Sequence, residues 1–137
     1  MDVKQKALEV MEQHRELERR TQRVLGMLTS SIDWKELGRE LGEIYDLITE
    51  HFELEGRGGY MQDVREALPV RSQAIEELER AHDDLEETLR AIRRECGKAE
   101  DAARVRELFQ QWLGDMVGHE EAENRLYDEA FGKLPVG

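Results

Sequence analysis

Residues 37–55 read LGRELGEIYDLITEHFELE. Leu37, Leu41, Ile44 and Ile48 follow one another at steps of four, three and four, which gathers them on one stripe of an α-helix. The same steps continue to His51 and Glu55, so the stripe turns from aliphatic to polar without leaving its face. Residues four apart on a helix lie one above the other. An imidazole and a carboxylate are therefore directed at the interior that the leucines and isoleucines fill. Asp33 with Glu36 reads as a capping box at the start of this helix, and Gly56, Gly58 and Gly59 end it.

Three further segments carry the same period. The first places Val3, Ala7, Val10, His14, Leu17, Thr21, Val24 and Leu28 on a stripe. The third places Ile75, Leu78, His82, Leu85, Leu89, Ile92 and Cys96. The fourth, from about Glu100 to Phe131, places Val105, Leu108, Trp112, Met116, His119, Glu123, Leu126 and Ala130. Gly26 and Thr29-Ser30-Ser31 end the first helix, Gly97 the third, and Gly132 and Pro135 the fourth. Pro69 stands near the first turn of the third helix, where its missing N–H costs nothing. Tyr60 to Leu68 reads as a short helical piece. Short links after the first and third helices imply antiparallel neighbours, hence an all-α, antiparallel up-down-up-down four-helix bundle.

Composition sets the outer bounds. A chain of 137 residues fits one domain, and 39% hydrophobic with 38% charged residues and two prolines suits amphipathic helices. The apolar runs fall far short of the ~20 residues that span a bilayer, and no apolar stretch follows the N-terminal charges as in a signal peptide. A net charge of −12 argues against nucleic acid. The single cysteine, Cys96, has no internal disulfide partner. A cytoplasmic protein is expected.

All four histidines fall on the four stripes, one per helix, and two of them carry a stripe glutamate one turn later, His51 with Glu55 and His119 with Glu123. His14 and His51 are 37 residues apart, and so are His82 and His119. The chain thus reads as two similar hairpins. Burying a carboxylate is costly unless it is paired or bound to a cation, so six polar groups converging on one interior call for a metal. Imidazole suits iron, zinc, copper and nickel, and carboxylates add hard oxygen donors that can bridge two ions. Six donors are too many for one tetrahedral zinc. They suit two five- or six-coordinate ions, and a pair of irons so held would leave a position for O2, peroxide or another small ligand. Phe52, Leu54, Trp112, Met116 and Tyr127 read first as core packing and second as an apolar shell controlling access to the site, and Tyr60 or Tyr127 could approach it as an outer hydrogen-bond donor.

These residues resemble the hemerythrin-like (HHE cation-binding) domains over about residues 8 to 131. The resemblance rests on Glu12-Gln13-His14, Glu50-His51-Phe52-Glu53-Leu54-Glu55, Ala81-His82-Asp83-Asp84-Leu85-Glu86, and Gly118-His119-Glu120-Glu121-Ala122-Glu123 followed by Leu126-Tyr127. It implies a single four-helix-bundle domain over 1–137 that binds two iron ions with a bridging oxo or hydroxo. His14, His51, His82 and His119 would be terminal ligands, and Glu55 and Glu123 the bridges. The chain departs from the oxygen-carrier pattern one turn after His82, where Glu86 replaces a histidine. Glu86 is the candidate seventh ligand, ahead of Glu18, and the harder donor set disfavours simple reversible O2 carriage.

The function expected is binding or sensing of O2, peroxide, nitric oxide or iron. A di-iron enzyme reducing peroxide or O2 is the alternative. A ferritin-like carboxylate protein ranks below these, because only Glu79-Arg80-Ala81-His82 matches its Glu-x-x-His pattern. A metal-free interaction bundle ranks last.

Overall fold

The computed structural model describes residues 2–29, 32–56, 59–98 and 101–132. Four long helices, α1 (Val3–Met27), α2 (Trp34–Glu55), α4 (Ser72–Lys98) and α5 (Ala102–Phe131), account for most of it, with a short α3 (Tyr60–Ala67) between α2 and α4. No strand occurs among the described residues. The chain is all-helical and arranged as a helical bundle. No helix in it is long and apolar enough to cross a membrane.

Local chemistry accounts for the helix ends. The carboxylates of Asp2, Asp33 and Asp101 each accept a hydrogen bond from the backbone N–H three residues on, at 2.8, 3.1 and 3.2 Å, satisfying donors that a helix start leaves open. Asp33 therefore caps α2 as its sequence suggests. Glu36 pairs with Arg39. Pro69 opens a 3-10 turn, Pro69–Arg71, that leads into α4. Helix α4 continues one residue past Gly97, and Gly132 closes α5 at φ 84°. Ser30, Ser31, Gly58 and Pro135 lie outside the described residues.

The stripes become the core, with one correction. On α5 the fully buried residue is Phe109, its ring 5.6 Å from that of Trp112, whereas Leu108 is only partly covered. Val105, Phe109, Trp112, Met116 and His119 keep strictly alternating steps of four and three, and that regularity is the signal that selects Phe109.

Apolar packing forms two clusters. The larger includes Leu17, Val24, Leu37, Ile44, Leu89, Ile92, Phe109 and Trp112. The smaller joins Ala7 and Val10 of α1, Ile75 of α4 and Leu126 and Tyr127 of α5 to Tyr60, Met61 and Val64 of α3. Each fully buried Leu or Ile contributes about 1.5–3 kcal/mol, so the larger cluster dominates stability. The buried His51, Glu55, His119 and Glu123 belong to neither cluster. Along every long helix they or their partner histidines fall between residues of the two.

Helix α1 packs on α2, α2 on α4, and α4 on α5. Between α1 and α5 a groove of about 590 Å³ remains, lined by Met11, Leu17, Trp112, Leu113 and Met116 and reaching His14 and Glu120.

Candidate metal centre

The six stripe residues meet. The donor atoms of His14, His51, Glu55 and Glu123 all lie within 4.8 Å of one another, and those of His82, His119 and Glu123 form a second such group. Glu123 belongs to both. Glu55 also spans the two, with Oε1 3.2 Å from Nε2 of His51 and 3.8 Å from Nε2 of His82. Glu123 Oε2 lies 3.6 Å from Nε2 of His82 and 3.5 Å from Nε2 of His119. Both carboxylates are fully buried. Each hairpin supplies two histidines and one glutamate, and each glutamate reaches a histidine of the other hairpin.

The first hairpin's histidines are fixed by hydrogen bonds. Nδ1 of His51 lies 2.8 Å from Oε1 of Gln13; the protonated nitrogen donates there, which turns the lone pair of Nε2 toward His14, 3.0 Å away. Gln13 thus sets the tautomer of His51. Sequence reading misses it, because Gln13 stands beside the α1 stripe; its position immediately before His14 is the only hint. The second hairpin's histidines are fixed by rings. Phe52 stacks on His82 at 3.9 Å with planes 5° apart and meets His119 edge-on at 5.9 Å.

Of the expected surroundings, Tyr60 is at the site: its hydroxyl donates to Glu55 Oε2 at 3.1 Å. Gly59 makes this possible. A Cβ there would lie 2.0 Å from the Leu54 carbonyl oxygen, and backbone cannot yield, so only glycine brings α3 back beneath Glu55. Tyr127 instead packs edge-on against Tyr60 and against Phe131. Trp112 donates its indole N–H to the Leu85 carbonyl at 2.9 Å, Met116 packs in the larger cluster and Leu54 against the smaller one. Glu86 is half-buried and has no histidine nitrogen within 4 Å; Glu18 is exposed and lines the groove. Glu120, which sequence reading left unassigned, has Oε1 3.8 Å from Nε2 of His14.

Electrostatics fit a cation. Burial, then the neighbouring His14, pushes His51 down to about 3, and burial also lowers His14; both are neutral and can offer a lone pair. Burial and the charge of Glu123 raise Glu55 well above the usual carboxylate range. Burial opposes ionisation of Glu123 too, but the facing His119 and His82 outweigh it and its carboxyl is lowered. Burial, then Glu123, pushes Glu120 up to about 8.

Glu40 makes the useful contrast. It is as buried as these glutamates, yet it faces the guanidinium groups of Arg23 and Arg20 at 3.5 and 3.7 Å. Glu40 Oε2 has no hydrogen-bond partner, but the Arg20 guanidinium faces it. No lysine or arginine pairs with Glu55 or Glu123 among the described residues, where Glu55 Oε1, both oxygens of Glu123, and Nε2 of His82 and of His119 have no hydrogen-bond partner. Buried polar atoms are rarely left so. Five such atoms, on residues whose donor atoms lie within 4.8 Å of one another in two groups, form a set that could hold a metal ion.

A protein-family model agrees, with residues 6–130 matching the hemerythrin HHE cation binding domain. No curated protein and no solved structure gives a match. With the match covering nearly all of its 137 residues, the chain belongs to the hemerythrin HHE cation-binding domain family.

Proposed function

We propose that this chain is a non-haem di-iron protein that binds or senses O2, peroxide, nitric oxide or iron itself. His14 and His51 would hold one ion, His82 and His119 the other, and Glu55 and Glu123 would bridge them. The observation that carries this reading is the two donor groups that share Glu123, one with His14, His51 and Glu55 and the other with His82 and His119, five of whose buried atoms have no hydrogen-bond partner. Two ions bridged by carboxylates would compensate all of them, whereas a single ion would leave one pair of imidazoles unused. When bound, a pair of irons supplies redox-active Lewis-acid positions for a small ligand. The protein's own part is to present neutral imidazoles, to hold His51 through Gln13 and Glu55 through Tyr60, and to exclude bulk water with Phe52. In the same reading the chain is one domain over 1–137, an antiparallel up-down-up-down bundle, and cytoplasmic.

The groove beside His14 favours a second reading, a di-iron enzyme that reduces peroxide or O2, because about 590 Å³ admits a molecule much larger than a diatomic. Elemental analysis of the purified protein, with an optical spectrum taken with and without O2, tests the first claim. About two irons per chain are expected, lost in His51→Ala and Glu123→Ala. Protein that holds no iron and takes up no Fe(II) anaerobically would overturn it. Sustained turnover of peroxide with a reductant selects the enzyme, and a reversible stoichiometric spectral change selects the binding protein.

A further inference from the structure

We infer that Glu120 is a seventh protein ligand, donating a carboxylate oxygen to the metal position of His14 and His51 from the floor of the groove between α1 and α5. The inference rests on the di-iron reading above and adds a residue to its ligand set.

Among the described residues, five pairs bring a carboxylate oxygen within 4 Å of a histidine nitrogen, and each of the four histidines takes part. Four of the five belong to Glu55 and Glu123. The fifth is Glu120 to His14. Glu86 and Glu18, the carboxylates that helical spacing nominates, make no such approach.

Glu120 also lacks the arginine partner that several of the protein's acidic side chains have. Glu16, Glu36, Glu43, Glu79, Glu87 and Glu129 each face an arginine within 4 Å. Glu120 is 22% exposed, and His14 is its one ionic partner among the described residues. Its position follows from the helix. It is next to His119 in sequence, about 100° further round α5, so it reaches across the seam toward α1 while His119 faces α4. One dipeptide, His119-Glu120, thus serves both halves of the centre.

Two donors on one ion, each about 2.0–2.2 Å from it, stand at most roughly 4.3 Å apart, and the 3.8 Å from Glu120 to His14 lies within that limit. Glu120 stands at the edge of the group of four whose donor atoms all lie within 4.8 Å of one another. The bare hydrogen-bond alternative requires 2.7–3.2 Å. The ligand count becomes unequal: the His14/His51 side gains a carboxylate that the His82/His119 side does not have. An incoming small ligand is then directed to the His82/His119 side, where a cleft of about 180 Å³ reaches His119 past Ala81, Asp84 and Leu85.

The test compares iron-loaded wild type with Glu120→Ala, Glu120→Gln and Glu86→Ala, following iron loss to the chelator ferrozine and titrating azide optically. Outer-shell partners alone change metal affinity by about 10–100-fold. Glu120→Ala and Glu120→Gln are expected to weaken one of the two irons by at least roughly tenfold and leave the other unchanged. The freed position is expected to appear as a second saturable azide phase, and Glu86→Ala is expected to match wild type. Wild-type affinity in Glu120→Gln would reduce Glu120 to a neighbour of His14 that does not bind metal and overturn the assignment, as would an unchanged Glu120→Ala. A wild type that takes up no iron would instead sink the di-iron reading itself. The helical circular dichroism of each variant separates loss of a ligand from loss of fold.

Discussion

The two hairpins share a spacing, a histidine pair and a glutamate, yet the structure supports them differently. In the His14/His51 half, hydrogen bonds hold the donors: Gln13 on His51 and Tyr60 on Glu55. In the His82/His119 half, the Phe52 ring does so by stacking, and Nε2 of both histidines and both oxygens of Glu123 are unpartnered. A repeated ligand pattern therefore does not entail a repeated environment. Hydrogen bonds fix direction sharply, whereas a stacked ring fixes a plane and shuts out water while leaving the donor atoms free. The first half is the better-organised site, and the second depends more on the ion to satisfy it.

The largest effect should come from the residue both halves share. Glu123→Ala is expected to abolish iron binding at both positions, read as metal per chain, and to lower the stability of the metal-free protein, because the buried His82 and His119 lose the carboxylate they face. Retention of one iron would show that the halves are independent. Phe52→Ala should come next. It removes a 5%-exposed ring at a cost of about 3–5 kcal/mol in chemical denaturation, and it loosens iron in the second half more than in the first. Equal loosening of both would erase the distinction drawn above.

Gln13→Ala should act on the first half alone, lowering affinity for one iron by about 10–100-fold with little change in stability, measured by chelator competition. Tyr60→Phe removes a single hydrogen bond and is expected to cost about 1 kcal/mol, with a shift in the spectrum of the loaded protein. A spectrum identical to wild type would place the Tyr60 hydroxyl outside the centre's influence. An effect confined to alkaline pH lies away from both halves. Burial in the larger cluster pushes the Cys96 thiol from 9.0 up to about 11. A raised folded-state value favours the neutral form, so its contribution is complete below about pH 9 and is lost as pH rises toward about 11. Wild type should therefore lose stability relative to Cys96→Ala between those values. Parallel curves for the two proteins would remove burial as the cause.

Much of this was legible along the chain. Leu37, Leu41, Ile44 and Ile48 gave α2 its buried face, and the same count carried on to His51 and Glu55. Leu108 and Phe109 each satisfy a local step, but only Phe109 keeps the strict alternation from Val105 to His119, and the structure buries it beside Trp112. Glu86 sits one turn from His82 in the sequence, yet in the fold no histidine nitrogen lies within 4 Å of its carboxylate. Gln13, Phe52 and Glu120 stand beside the stripe histidines in sequence, but nothing in their spacing says that one orients His51, another stacks on His82 and the third approaches His14.

By itself, then, the sequence determined the helices, their buried faces and the six donors directed inward, because periodicity within one helix is a local property set by 3.6 residues per turn. Tertiary structure alone decided which donor meets which, that Gly59 turns α3 so that Tyr60 reaches Glu55, and that α1 and α5 leave a groove ending at Glu120. Those are contacts between helices, and they depend on the rotation and height of one helix against another, which no count along a single chain contains.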